Sequence, residues 1–134
     1  MANALYPLWK AQLLQFTANN NLSAGTVKVA LVDTGTYTYS AADQFYSSIS
    51  SAVVGTPQTI GSKTFTNGTF DGADVTYTAV TGASVEALVI YIDTGAAGTS
   101  PLVAYIDTSV TGLPVTPNGA DITIAWNASG IFTL

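Results

Sequence analysis

Two apolar segments near the middle of the chain constrain its fold more than any other feature. They read ALVIYID at 87–93 and PLVAYID at 101–107, and a loop of small residues separates them. A strand with one face in water alternates apolar and polar residues, whereas these segments are apolar on both faces. We therefore expect a strand pair with both faces covered. One face would fill the interior of the fold, and the other would meet the helix, a second sheet or a neighbouring subunit.

The chain begins with its one clear helical pattern. Apolar residues recur at spacings of three and four from Leu5 through Trp9 to Phe16, which predicts a helix at about 4–19. We expect Trp9 and Phe16 to cover apolar surface, either on one end of a sheet or inside a neighbouring subunit.

From Thr26 onward the hydrophobic period changes to two. Short alternating segments separated by Gly, Pro and Asn predict seven or eight strands, with no regular alternation of strands and helices and no linker. These features predict a mainly β chain, an antiparallel, jelly-roll-like β-sandwich with one N-terminal α-helix. We expect a single domain over 1–134, with the sandwich at about 26–134.

Two local signals predict structure between these strands. Asn67-Gly68 is a strong hairpin signal, and it predicts strand, turn and strand over 61–80. Ser40 is placed to cap a short helix over 41–49.

The acidic residues are typical of turns. Asp33, Asp93 and Asp107 each follow an apolar run and precede Thr, which favours strand-exit turns over a shared cation site. Asp71 and Asp74 flank a glycine, and they favour a plain Asp-Gly turn over half of a Ca²⁺ loop.

Composition excludes several classes of partner. The chain is 48% hydrophobic and only 8% charged, against roughly 25% charged residues in a typical soluble protein. Its longest apolar run is well short of the ~20 residues of a membrane-spanning helix. Three lysines and no arginine, with a net charge of −5, cannot neutralise a nucleic-acid backbone. The first residues lack the basic region of a secretory signal. We therefore expect neither nucleic acid nor membrane as a partner.

The residue inventory also argues against catalysis. The chain contains no His and no Cys, so the usual general bases, thiolate nucleophiles and thiolate metal ligands are absent from it. No Ser-x-x-Lys pattern and no glycine-rich phosphate loop are present. We expect a protein that is not an enzyme and needs no metal and no cofactor.

Several long phrases resemble a family of small tailed-bacteriophage virion proteins. The chain starts MANALY, contains VTGASVEALVIYIDTG and GLPVTPNG, and ends in a strand pair closed by an aromatic residue and Leu. The resemblance covers most of the chain and is strongest from Ala79 to Leu134. The segment PLWKAQLLQF after the start is more apolar than in that family.

By analogy with small β-sandwich proteins on phage heads, the resemblance implies a non-enzymatic virion structural protein. Its expected role is that of a head cement or decoration protein, made in the host bacterial cytoplasm and incorporated in the virion. It would form a dimer or a trimer, and it would bridge and stabilise subunits of the major capsid protein or bind other virion proteins. The alternatives are a tail or fibre component that binds a receptor or glycan, and a bacterial surface or Ca²⁺-binding module.

Aromatic residues supply the candidate partner-binding positions, because Tyr, Trp and Phe are enriched at protein interfaces. Four of them lie in the irregular, Ser-rich stretch 34–58, and the fifth lies on the predicted helix: Tyr37, Tyr39, Phe45, Tyr46 and Trp9. The alternative is that some of these side chains cover the core of their own chain.

Overall fold

Short strands dominate the structure, which is a computed structural model that describes residues 3–134. One α-helix, α1 (Pro7–Leu14), and nine strands make up the regular structure of these residues, apart from short 3₁₀ turns. The strands are β1 (Ala4–Leu5), β2 (Thr26–Val32), β3 (Val53–Thr59), β4 (Thr69–Phe70), β5 (Val75–Tyr77), β6 (Ala87–Asp93), β7 (Leu102–Ile106), β8 (Ile122–Ile124) and β9 (Phe132–Thr133).

The strands form one central sheet and two small ribbons, and all pairs are antiparallel. The five-stranded sheet has the order β1-β7-β6-β2-β3, and the ribbons are β4-β9 and β5-β8. Their buried residues belong to one hydrophobic core. This arrangement confirms the predicted mainly β, antiparallel sandwich with one helix near the N-terminus.

The two segments that lack alternation are β6 and β7, which lie side by side in the sheet. Every side chain in 87–92 and 102–106 is at most 5% exposed. The prediction that both faces of this strand pair are covered is therefore confirmed.

Other parts of the same chain cover both faces of β6 and β7. On one face, aromatic rings from the segment 37–46 pack against Tyr91 and Tyr105. The two ribbons contribute their buried side chains to the same core, and the hydroxyl of Tyr77 in β5 donates a hydrogen bond to the backbone carbonyl of Val29 in β2 at 2.8 Å. A neighbouring subunit is not needed to bury the strand pair.

The helix is shorter than the predicted 4–19. Residues 4–5 pair with β7 as an edge strand instead, and Pro7 begins the helix, where its missing N–H costs nothing. At the other end Phe16 adopts a left-handed backbone with φ of 54°, which stops the helical path. The apolar spacing in the sequence extends beyond both ends of α1. It reports which residues are apolar, and it does not report where the helical backbone starts or stops.

The two local predictions are only partly correct. Asn67 and Gly68 do take left-handed conformations, and Thr64 and Asp71 exchange backbone hydrogen bonds around them. However, β4 then pairs with β9 rather than with the preceding residues. The stretch 41–49 is not an α-helix. It contains one short 3₁₀ turn at Tyr46–Ser48, and a second follows it at Ser50–Ala52.

The predicted strand-exit turns are present after β2 and β6. The carboxylate of Asp33 accepts a hydrogen bond from the N–H of Gly35 at 2.8 Å, and that of Asp93 accepts one from Gly95 at 2.9 Å. These carboxylates satisfy local backbone amides.

Candidate functional site

The predicted contact tyrosines lie over the central sheet. Tyr37 is buried, and Tyr39 is half-buried with its ring centroid 5.4 Å from that of Tyr105 and 5.2 Å from that of Tyr6. The structure therefore gives both side chains an internal packing role. A role in partner binding stays a prediction for them.

A chain of hydrogen bonds fixes the segment that contains these tyrosines. The Tyr37 hydroxyl donates to the carboxylate of Asp43 at 2.8 Å, and it lies 2.9 Å from the hydroxyl of Tyr6. Because a phenol has one proton, Tyr6 must be the donor to Tyr37. The Tyr6–Tyr37–Asp43 chain connects the residue before α1 to the irregular segment 36–44.

Burial favours the protonated form of both phenols in this hydrogen-bonded series. Burial, above all, raises the pKa of Tyr37 to about 12, against a smaller lowering by the hydrogen bond from Tyr6. Burial also raises the pKa of Tyr6 well above its ordinary value. Both groups hold their protons at neutral pH, so the chain acts as a structural link.

Phe45 and Tyr46 cover the start of β7 and the end of β6. Phe45 forms an isolated bridge with Pro101, and the ring of Tyr46 lies 4.5 Å from that of Tyr91 between centroids. Both side chains are half-buried. A role of Phe45 and Tyr46 in partner binding, like that of Tyr37 and Tyr39, stays a prediction.

The ionisable groups of the described residues are dispersed. Lys28 Nζ lies 2.8 Å from Asp93 Oδ2 and lowers the pKa of that carboxyl, in a partly exposed pair of the kind that contributes little to stability. No three His, Cys, Asp or Glu side chains in residues 3–134 come together where they could hold a metal ion.

The strongest candidate site is an apolar groove of about 530 Å³ beside α1. Three parts of the chain line it: Trp9 and Leu13 of α1, the loop 16–23, and the β4-β9 ribbon with its adjoining turn. The ring of Trp9 packs edge-on against Phe132 of β9 at 6.1 Å between centroids. This groove, which we call the helix–ribbon groove, is of a size typical of ligand pockets.

No charged side chain lines the helix–ribbon groove. Three large apolar side chains on its lining remain accessible, with Phe16 94%, Leu134 65% and Phe65 41% exposed. Large apolar side chains clustered on one exposed surface are typical of interaction sites.

Phe16 occupies an unusual position in the groove. The N–H of Phe16 bonds to the carbonyl of Leu13, and the N–H of Thr17 bonds to that of Gln12, which together form a Schellman motif. The left-handed position of this motif usually holds Gly, because a Cβ there is strained. Here the position holds a phenylalanine that is almost fully exposed.

Lys63 connects the loop side of the groove to the ribbon side. Its Nζ donates hydrogen bonds to the backbone carbonyls of Leu22, Ser23 and Gly25 at 2.7, 3.3 and 2.8 Å. Leu22 and Ser23 line the groove, as does Phe65, two residues after the lysine. The lysine thereby positions the loop.

Hydrogen bonding around the groove is incomplete. Trp9 and Asn20 are both at most 3% exposed, and their Nε1 and Oδ1 atoms have no hydrogen-bond partner among residues 3–134. Within the same described residues, the backbone amides of Ala18, Asn19, Asn21 and Leu22 donate no hydrogen bond to protein. The loop is therefore rich in unused hydrogen-bonding groups.

Sequence reasoning identified only part of this groove. It selected Trp9, which lies on the groove lining. It expected Phe16 to cover either the sheet of its own chain, which this exposed side chain does not do, or a neighbouring subunit, which stays a prediction. It also did not single out Phe65 or Leu134 as contact residues. The one available signal is that Phe16 is the last member of the helical pattern and precedes a polar run, Thr17 to Asn21, without a glycine.

None of the helices in the described chain is long and apolar enough to cross a membrane. Comparison with protein-family models and with curated proteins found no match for this chain. The functional interpretation therefore rests on the residues and geometry described above.

Proposed function

We propose that this chain is a non-enzymatic structural protein of a bacteriophage virion. More specifically, we propose a capsid cement protein that bridges and stabilises subunits of the major capsid protein. The observation that carries the binding role is the helix–ribbon groove, which is apolar, exposed and free of charged side chains. The phage and capsid parts of the proposal are supported by the resemblance of the sequence phrases.

The chemistry of the chain supports a binding role over a catalytic one. The sequence has no His and no Cys, and the carboxylates of Asp33 and Asp93 are used in local turns. The buried phenols hold their protons at neutral pH, and burial raises their pKa values further above it. What the chain offers a partner is apolar area.

Apolar area is sufficient for a cement function. Each Å² removed from water contributes about 25 cal/mol before the costs of association. A contact of modest area repeated around a symmetric shell gains further through avidity. Dimer or trimer formation, which would strengthen this effect, stays a prediction, and the groove is not assigned to it.

The copy number of the protein in purified particles tests this proposal. A cement protein should be present in a simple integer ratio to the major capsid protein, measured by quantitative mass spectrometry. Particles that lack it should release their genome at a lower temperature than complete particles. A small copy number would instead indicate a tail or fibre component, and absence from particles would overturn the virion assignment.

A further inference from the structure

We propose that the helix–ribbon groove binds an extended, uncharged, apolar peptide segment of a partner protein, with Phe16 as its main contact. The partner's identity as a capsid protein rests on the proposed function, but the chemistry of the segment does not. Three features of the groove carry the inference.

The first feature is the lack of charge. No lysine, aspartate or glutamate lines the groove, although the chain as a whole carries a net charge of −5. A charged residue of a partner would lose its water in the groove without gaining an opposite charge, which is costly. The occupant should therefore be uncharged where it enters the groove.

The second feature is the loop beside the groove. The backbone amides of Ala18, Asn19, Asn21 and Leu22 have no acceptor within the described protein, and an extended peptide presents backbone carbonyls along its length. Main-chain pairing of this kind gives affinity to many peptide-binding sites, while pockets for alternate side chains give specificity. A purely aliphatic ligand would leave these donors unused.

The third feature is the state of Phe16. Its side chain is 94% exposed, and its φ of 54° lies in the left-handed region that disfavours such a residue. A partner that covers the ring would remove the cost of exposing it, and the free energy of that contact would offset the backbone strain. Strain at a single exposed residue of this kind points to function.

A second copy of the chain fits the groove less well. Three of the exposed large apolar residues, Phe16, Phe65 and Leu134, line the groove of their own chain. The other two, Leu8 and Leu14, lie on α1 and are therefore not part of an extended segment. The C-terminal residues Phe132 and Thr133 are already paired in the β4-β9 ribbon. No described segment is both apolar and free to extend into another groove.

Two substitutions separate binding from folding. Phe16→Gly removes the ring and relieves the left-handed strain, so this variant should unfold at a higher urea concentration than the wild type while losing peptide binding. Leu14→Asp is the matched control, because Leu14 is 83% exposed on the neighbouring helix but does not line the groove.

The experiment measures peptide binding by fluorescence anisotropy. The probe is a pool of labelled, end-blocked octapeptides in which Val, Leu, Ile or Phe alternates with Thr, Ser or Asn. A second pool carries Asp at one central apolar position. We expect the uncharged pool to bind the wild type at least about tenfold more tightly than the Asp pool. Phe16→Gly should abolish this preference, and Leu14→Asp should retain it.

Several results would overturn the inference. They are equal binding of the two pools, no binding of either pool, or equal losses in Phe16→Gly and Leu14→Asp. A wild-type dimer that becomes a monomer in Phe16→Gly, measured by sedimentation velocity, would show that a second copy occupies the groove.

A further arm separates this inference from the proposed function. Overlapping peptides that span the major capsid protein of the particle are tested in the same assay. Binding of one such uncharged peptide, lost in Phe16→Gly, supports both proposals. Binding of the model pool without any capsid peptide supports the groove chemistry and counts against the capsid as partner.

Discussion

Individual residues show how this chain covers itself. Tyr37 and Tyr39 fit the composition of an interface, yet their rings pack on Tyr105 of the same chain. Phe16 fits the composition of a core, yet its side chain is 94% exposed. Residue type alone does not decide which of these side chains is buried, because a strand-rich chain with few charges buries and exposes the same kinds of residue.

The hydrogen bonds that join Tyr6, Tyr37 and Asp43 predict how much stability is lost when one hydroxyl is removed. Tyr37→Phe should lower the free energy of unfolding by about 1–3 kcal/mol, because the fully buried Tyr6 hydroxyl loses its acceptor. Tyr39→Phe is the control, since the Tyr39 hydroxyl is not a member of this chain. Urea denaturation of both variants checks the prediction, and equal stabilities would contradict a structural role for the Tyr37 hydroxyl.

The raised pKa of Tyr37 predicts that the protein loses stability at alkaline pH. The pKa of Tyr37 is raised from 10.0 to about 12 in the folded protein, so above pH 10 the unfolded chain releases this proton more readily. The stabilising contribution is therefore complete below pH 10 and is lost as the pH rises to about 12. Urea midpoints measured across this range should fall less steeply in Tyr37→Phe than in the wild type. An identical slope in the two proteins would show that Tyr37 is not one of the groups responsible.

At the scale of elements, the sequence predicts what is encoded within one segment. The strand pair β6-β7 was predicted because its two-sided apolar pattern lies within twenty residues. The start of α1 was not predicted, because β1 forms by pairing with β7, a hundred residues away. The helix–ribbon groove likewise combines 9–23, 65–70 and 132–134, and no local period reports that these segments meet.

The loop 16–23 depends on a lysine from a different part of the chain. Lys63→Met keeps the apolar stem of this side chain but removes the hydrogen bonds that its ammonium group donates to three backbone carbonyls. We expect hydrogen exchange at the amides of 23–25 to become about tenfold faster or more, because these amides bond to Asn21 within the released loop.

Lys10→Met is the matched control for this experiment, since Lys10 is an exposed residue of α1 that does not line the groove. Its exchange pattern over 23–25 should equal that of the wild type. If Lys63→Met also leaves these amides unchanged, the loop is held by packing alone.

The whole molecule separates its charge from its exposed apolar surface. The net charge of −5 comes from acidic residues outside the groove lining, and Lys28 is already paired with Asp93. Association through the helix–ribbon groove should therefore depend on apolar burial, and the net charge adds long-range repulsion only where the partner is also acidic. Salt screens such repulsion without weakening apolar contacts.

This separation predicts how the protein attaches to its partner. Raising the salt concentration from about 50 mM to about 500 mM should leave the affinity for the partner unchanged or increase it, because the Debye length falls below the distance between exposed charges. Isothermal titration at several salt concentrations, with the bound peptide or with purified particles, checks the prediction. A steep loss of affinity with salt would show that attachment depends on ion pairs, and the binding surface would then have to be sought among acidic residues such as the exposed Asp74 and Asp121.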